Sequence, residues 1–169
     1  MNNFCTRSAT GQVVIDGDNN RLIIDTECTA GGFALPGGTI ETSAVRVAIL
    51  DTEATVWVSS LDGQAIPESR HLLITHLTDL QNSGEKYADA RRRTVLEWGH
   101  LPHLVREGRA EVTLLRPPTG MVEVWRLATD GERLSQLEVA AGPDGEVHLP
   151  LQVRGPHGAQ LLYEVVVRD

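Results

Sequence analysis

Hydrophobic and polar residues alternate in short runs along most of this chain, with a period of two. From Ala54 onward, Val56 and Val58 fall on one side while Thr55, Trp57 and Ser59 fall on the other. That is how a strand with two unlike faces reads. A second run, His71–Leu77, carries Leu72, Leu73, Ile74 and Leu77 among polar residues. The segment between them, Leu61–Ser69, holds an Asp-Gly pair and a proline, both turn formers. A strand pair this apolar needs a partner surface, so the pattern predicts the centre of a β-sandwich.

The rest of the chain repeats the theme. Gln12–Asp16 and Arg21–Asp25 predict strands joined by a Gly17-Asp18-Asn19-Asn20 hairpin turn. The Gly-rich run Thr29–Gly38 predicts two flexible joints around a core anchor at Phe33. Thr39–Leu50 predicts one or two strands, with Val45, Val47 and Ile49 on one face, and Asp51-Thr52-Glu53 a turn. Later strands are expected at Ala110–Leu115, Met121–Leu127, Leu134–Val139, Glu146–Val153 and Gln160–Val167. Between them fall Pro117-Pro118-Thr119-Gly120, Asp130-Gly131 and Asp144-Gly145 as turns. On the 121–127 strand, Val122 and Val124 share one face, and Glu123 and Trp125 the other.

The pattern breaks over residues 82–104. A helix over Glu85–Trp98 fits a near-helical spacing of Tyr87, Val95 and Trp98, but the β-rich context favours a loop and a short strand at Thr94–Glu97. Gly99 and Pro102 predict a bend. The expected fold is therefore all-β, an antiparallel sandwich of immunoglobulin-like or jelly-roll-like type. It forms one domain over residues 10–169, with a frayed tail over residues 1–9.

Composition narrows the functions. A chain of 169 residues buries roughly 70% of its unfolded surface and needs no staple. Its two cysteines, Cys5 and Cys28, read as unpaired thiols. A net charge of −8 argues against nucleic acid and anionic membranes as partners. No run has the apolar length of a membrane span, and the polar N-terminus does not read as a signal peptide. No repeat is visible.

Three stretches carry a resemblance. Ser59–Arg70 (SSLDGQAIPESR), Leu72–Gly84 (LLITHLTDLQNSG) and Trp98–Val105 (WGHLPHLV) resemble the C-terminal β-sandwich that follows the catalytic barrel in some bacterial glycoside hydrolases. Thr10–Thr26 is similar to the strand pair that opens such domains, and Leu161–Val165 to the strand that closes them. The resemblance implies a noncatalytic accessory module whose partner is the catalytic domain of the same polypeptide. It implies an extracellular location where that parent is secreted, and it implies no particular sugar and no cofactor.

Several constellations compete with that reading. Asp16, Asp18 and Asn19 suggest a calcium loop, but the ligand spacing stops short and the turn reading is preferred. His71 and His76 face opposite sides of a strand, and His100 and His103 straddle Pro102, so a zinc site is not expected. Asp62, Glu68, Asp79 and Glu97 supply carboxylates for glycosidase chemistry, without the barrel that would present them. Ser59, Ser60 and Ser69 lack a nucleophile elbow. The alternative function is a carbohydrate-binding module recognising a polysaccharide through aromatic faces. Its candidate residues are Trp98, Tyr87 and Trp57, with Asn82 and Arg91 for hydroxyls. Arg91-Arg92-Arg93 reads as a solvated face or a patch that docks on acidic residues of a neighbouring domain.

Overall fold

A computed structural model describes residues 4–142, 145–156 and 158–169, all as strands, turns and connections with no helix. The first strands are β1 (Cys5–Arg7), β2 (Val13–Asp16), β3 (Arg21–Asp25), β4 (Thr29–Ala34), β5 (Thr39–Glu41), β6 (Val45–Ile49), β7 (Ala54–Ser60) and β8 (His71–Leu77). Four short ones follow, β9 (Leu80–Ser83), β10 (Lys86–Tyr87), β11 (Val95–Glu97) and β12 (His100–Val105). The chain continues with β13 (Arg109–Leu114), β14 (Met121–Leu127), β15 (Arg133–Leu137), β16 (Ala140–Ala141) and β17 (Val147–Gln152). It ends with β18 (Arg154–Gly155), β19 (Gly158–Ala159) and β20 (Leu162–Arg168).

These strands form an antiparallel nine-stranded sheet, ordered β1-β2-β3-β4-β7-β8-β20-β14-β15, and a five-stranded one, β16-β17-β13-β6-β5. The expected all-β, sandwich-type fold is the fold found. The expected central pair, β7 and β8, lies in the middle of the large sheet. Both sheets feed one cluster of buried side chains. Val56, Val58, Leu72, Ile74, Val124 and Val165 come from the large sheet, and Ile40, Val47, Val112, Leu149 and Leu151 from the small one. Each such side chain contributes about 1.5–3 kcal/mol by leaving water. Tyr163 on β20 is fully buried, and its hydroxyl donates to Gln152 O at 2.9 Å and accepts from Gln152 N at 3.1 Å. One side chain thus ties the large sheet to β17 of the small one.

The structure corrects several expectations. Cys5–Arg7 is not frayed: it pairs with β2 as the sheet's edge strand. Gly31 and Gly32 are not joints. They sit inside β4, where a Cβ on Gly31 would run into Val56 O and one on Gly32 into Leu22 O. Phe33 is no core anchor: it points to the outer face while Ala30 and Ala34 face inward. The loop and short strand expected around Thr94–Glu97 are found, as residues 88–94 and β11, but further short strands flank them, and Pro102 lies within β12, whose pairing with β9 shifts register between His100 and His103. The Asp144 half of the Asp144-Gly145 turn lies outside the described residues. Cys5 and Cys28 are both free and exposed.

Candidate functional site

Two surfaces stand out. The first is an arm. Between Leu77, where β8 ends, and Arg109, where β13 begins, the chain forms two small ribbons, β9 with β12 and β10 with β11, separate from both main sheets. Five large apolar side chains are exposed on it: Leu80 (57%), Leu96 (64%), Trp98 (75%), Leu101 (71%) and Leu104 (55%). The arm is clamped at its root. Asp79 accepts from Arg92 at 2.8 Å and Arg106 at 2.9 Å, Arg106 reaches Glu53 at 3.3 Å, and Thr78 Oγ1 donates to Arg106 O at 2.6 Å. Gly99 turns the chain with φ of 68°, and a Cβ there would lie 2.5 Å from Ser83 O.

Four of the five expected sugar-binding residues, Trp98, Tyr87, Asn82 and Arg91, lie on this arm, but the side-chain polar groups of Asn82 and Tyr87 are already engaged. Asn82 donates from Nδ2 to Trp98 O at 2.8 Å, and its Oδ1 pairs with His103 Nδ1 at 2.8 Å. Tyr87 donates its hydroxyl to Glu85 at 2.7 Å, a bond that raises the phenol's pKa. The Arg92 guanidinium lies 5.7 Å from the Tyr87 ring centre, over one face. Arg91 holds the turn, its amide donating to Asp89 at 2.9 Å, while its side chain is exposed. Trp57 is elsewhere: it sits on β7 opposite Gly31 and Thr75.

The second surface is the outer face of the large sheet. Directly opposed residues in an antiparallel ladder share a face, so the register reads the rows off. One row runs Ile15, Leu22, Phe33, Thr55, Leu77. The next runs Val13, Ile24, Gly31, Trp57, Thr75, Leu162. These side chains are half-buried by one another, and Ile15 and Leu77 are exposed. A charged rim closes one end. Glu164 pairs with His71 at 2.7 Å and Arg133 at 2.6 Å, and Arg133 stacks 5.1 Å from the Trp125 ring centre. The Arg133 and His71 bonds hold the Glu164 carboxyl below its ordinary range.

The remaining candidates have structural partners. Desolvation pushes the Asp62 carboxyl up, but the Ser69 and Ser60 hydroxyls and the Arg70 and Gln64 amides, which close the β7–β8 loop, hold it well below its ordinary range. Asp16 accepts from Asn19 and Arg21 in its hairpin. Glu97 pairs with Lys86 at 2.7 Å, and Glu68 is exposed. Among the described residues, no group of three or more His, Cys, Asp or Glu side chains is placed to hold a metal. Likewise no helix there is long and apolar enough to cross a membrane.

Single-strand periodicity does not reveal the outer face. The signal was present in the unbroken triple Leu72-Leu73-Ile74 and in RLIID, which place apolar groups on both sides of a strand. No family model, curated protein or solved structure matches the chain.

Proposed function

We propose that this chain is a noncatalytic accessory module that docks on a neighbouring domain of the same polypeptide through the outer face of its large sheet. That is the role implied by its resemblance to the C-terminal sandwich of bacterial glycoside hydrolases, where the neighbour is the catalytic domain. One observation carries the reading: the apolar rows through Ile15, Phe33 and Trp57 lie on the face turned away from the core, with Ile15 and Leu77 exposed, and end in a charged rim. Nine strands about 4.8 Å apart span roughly 40 Å. With strands about 20 Å long, the face approaches the roughly 800 Å² that each partner gives to a stable interface.

The test compares the isolated chain with the natural polypeptide that carries it beside its neighbour. Oxidative footprinting of indoles is expected to label Trp57 and Trp125 in the isolated chain and to spare both in the longer protein. Equal labelling in the two samples removes the docking reading. Titration with soluble glycans decides the polysaccharide alternative. A tryptophan fluorescence change abolished by Trp98→Ala supports a sugar platform on the arm, and a flat titration counts against it.

A further inference from the structure

The arm differs from the body in charge as well as in packing. Between Leu77 and Arg109, Lys86, Arg91, Arg92, Arg93 and Arg106 balance Asp79, Glu85, Asp89, Glu97 and Glu107, within a chain whose net charge is −8. Lys86 is held by Glu97, and Arg92 and Arg106 by Asp79. Arg91 and Arg93 are exposed, with no ion-pair partner among the described residues. They stand in the β10–β11 loop, at the opposite end of β11 from Trp98. The arm thus offers an apolar group, Trp98, at one end of β11 and two uncommitted guanidinium groups at the other.

The small sheet carries the complement. On its outer side, Ala140 and Pro150 line a shallow groove of about 420 Å³ that reaches Val139, itself packed against the core, and is flanked by Glu111, Glu138 and His148. Glu111 lies 3.3 Å from His148 Nδ1, and Glu146 lies 3.8 Å from Nε2, so carboxylates stand along its margin. No arm residue of the same chain lines this groove.

We propose that the arm of one copy seats Trp98 in this groove of a second copy, with Arg91 and Arg93 over its acidic margin. The occupant is a second chain because both halves of the match, an exposed indole against an apolar floor and two uncommitted cations against carboxylates, are present in this one sequence. Unlike patches meet, so the contact is heterologous and builds a ring or an open chain rather than an isologous pair. It leaves the outer face of the large sheet free.

Sedimentation velocity of the intact chain over a concentration series tests this. At low salt, about 0.02 M, the weight-average mass is expected to rise with concentration, and at about 0.5 M to fall back towards the monomer. The double variants Arg91→Glu with Arg93→Glu, and Glu111→Lys with Glu138→Lys, change exposed positions only. Each is expected to weaken self-association at least about tenfold, because each sets like charges against each other. An equimolar mixture of the two is expected to associate again, since each supplies the half that the other lacks. Trp98→Ala is expected to weaken association in the otherwise unchanged chain without moving its unfolding temperature. A monomer at every concentration in low salt overturns the proposal. So does association that survives both reversals, or a mixture that stays monomeric.

Discussion

His76 sits on β8 with no exposure, and neither ring nitrogen has a hydrogen-bond partner among the described residues. Burial pushes its pKa down to about 4, against a smaller upward pull from Asp51. The folded chain therefore holds His76 neutral where the unfolded chain takes up a proton. The stability this protects is complete above about pH 6.5 and is lost as pH falls towards 4, a change of about 3 kcal/mol. Carboxylates behave differently. Asp16, Asp51 and Glu164 are all lowered by their partners, so what they contribute is lost only as pH falls below the ordinary carboxylate range. Urea unfolding across pH separates the two windows. His76→Leu removes two unsatisfied nitrogens in a similar volume and is expected to raise stability by about 1–2 kcal/mol at pH 7. It is also expected to flatten the slope between pH 4 and 6.5; a variant that keeps that slope shows that His76 is not its source. Gly32 gives a second prediction at this scale. Its missing Cβ is space occupied by Leu22 O, which belongs to the neighbouring strand and cannot turn aside. Gly32→Ala is expected to lower the unfolding free energy by about 3 kcal/mol, measured by chemical denaturation, whereas Gly63→Ala, with nothing near it, acts only through its φ of 76°.

At the scale of elements, the arm and the body are energetically separate. The core cluster passes from Ile74 to Ala110 without drawing on any residue of the arm. Below the arm, Asp79 O accepts from Arg106 N at 2.9 Å, which brings the two chain ends together. Replacing residues 80–105 by a two-residue turn is therefore expected to move the melting temperature by no more than about 4 °C, equivalent to about 1 kcal/mol. A larger fall in calorimetry means that the arm supports the body. The same contrast explains what was legible in the sequence. β6, β7 and β17 alternate buried with less buried positions because one face of each meets the core, and period two reads that directly. β12 is exposed along nearly its whole length although it contains Leu101, Leu104 and Val105. Reading a sequence by burial assumes that leucine goes inside, and on the arm it does not. β4 was misread for the opposite reason. Its glycines serve close approach of β3 and β7, a constraint set by neighbours far away in the chain.

The whole molecule presents one apolar sheet face and one apolar arm, and only part of that was visible beforehand. Trp57 was expected to turn away from Val56 and Val58, and it does; that Phe33, Leu22 and Ile24 turn the same way depends on the register of four adjacent strands, which no single strand reveals. The expected sugar platform joined Trp98 with Tyr87 or Trp57; Tyr87 lies on the arm with Trp98, and Trp57 lies on β7 of the large sheet. The two apolar surfaces have distinct signatures. Ile15 and Leu77 stand at opposite ends of one cross-strand row on the sheet face and are exposed. Changing both to lysine introduces charge into that row without opening the core, so stability is expected to hold within about 0.5 kcal/mol. A dye that fluoresces on apolar protein surface is expected to bind the native chain and to lose at least half its signal in the double variant. The chain lacking residues 80–105 is expected to retain most of it, because the sheet face is the broader surface. Dye binding that follows the arm instead, falling on its removal and ignoring lysine at Ile15 and Leu77, assigns the adhesive surface to Trp98 and the leucines around it and takes away the reason to place a neighbouring domain on the sheet.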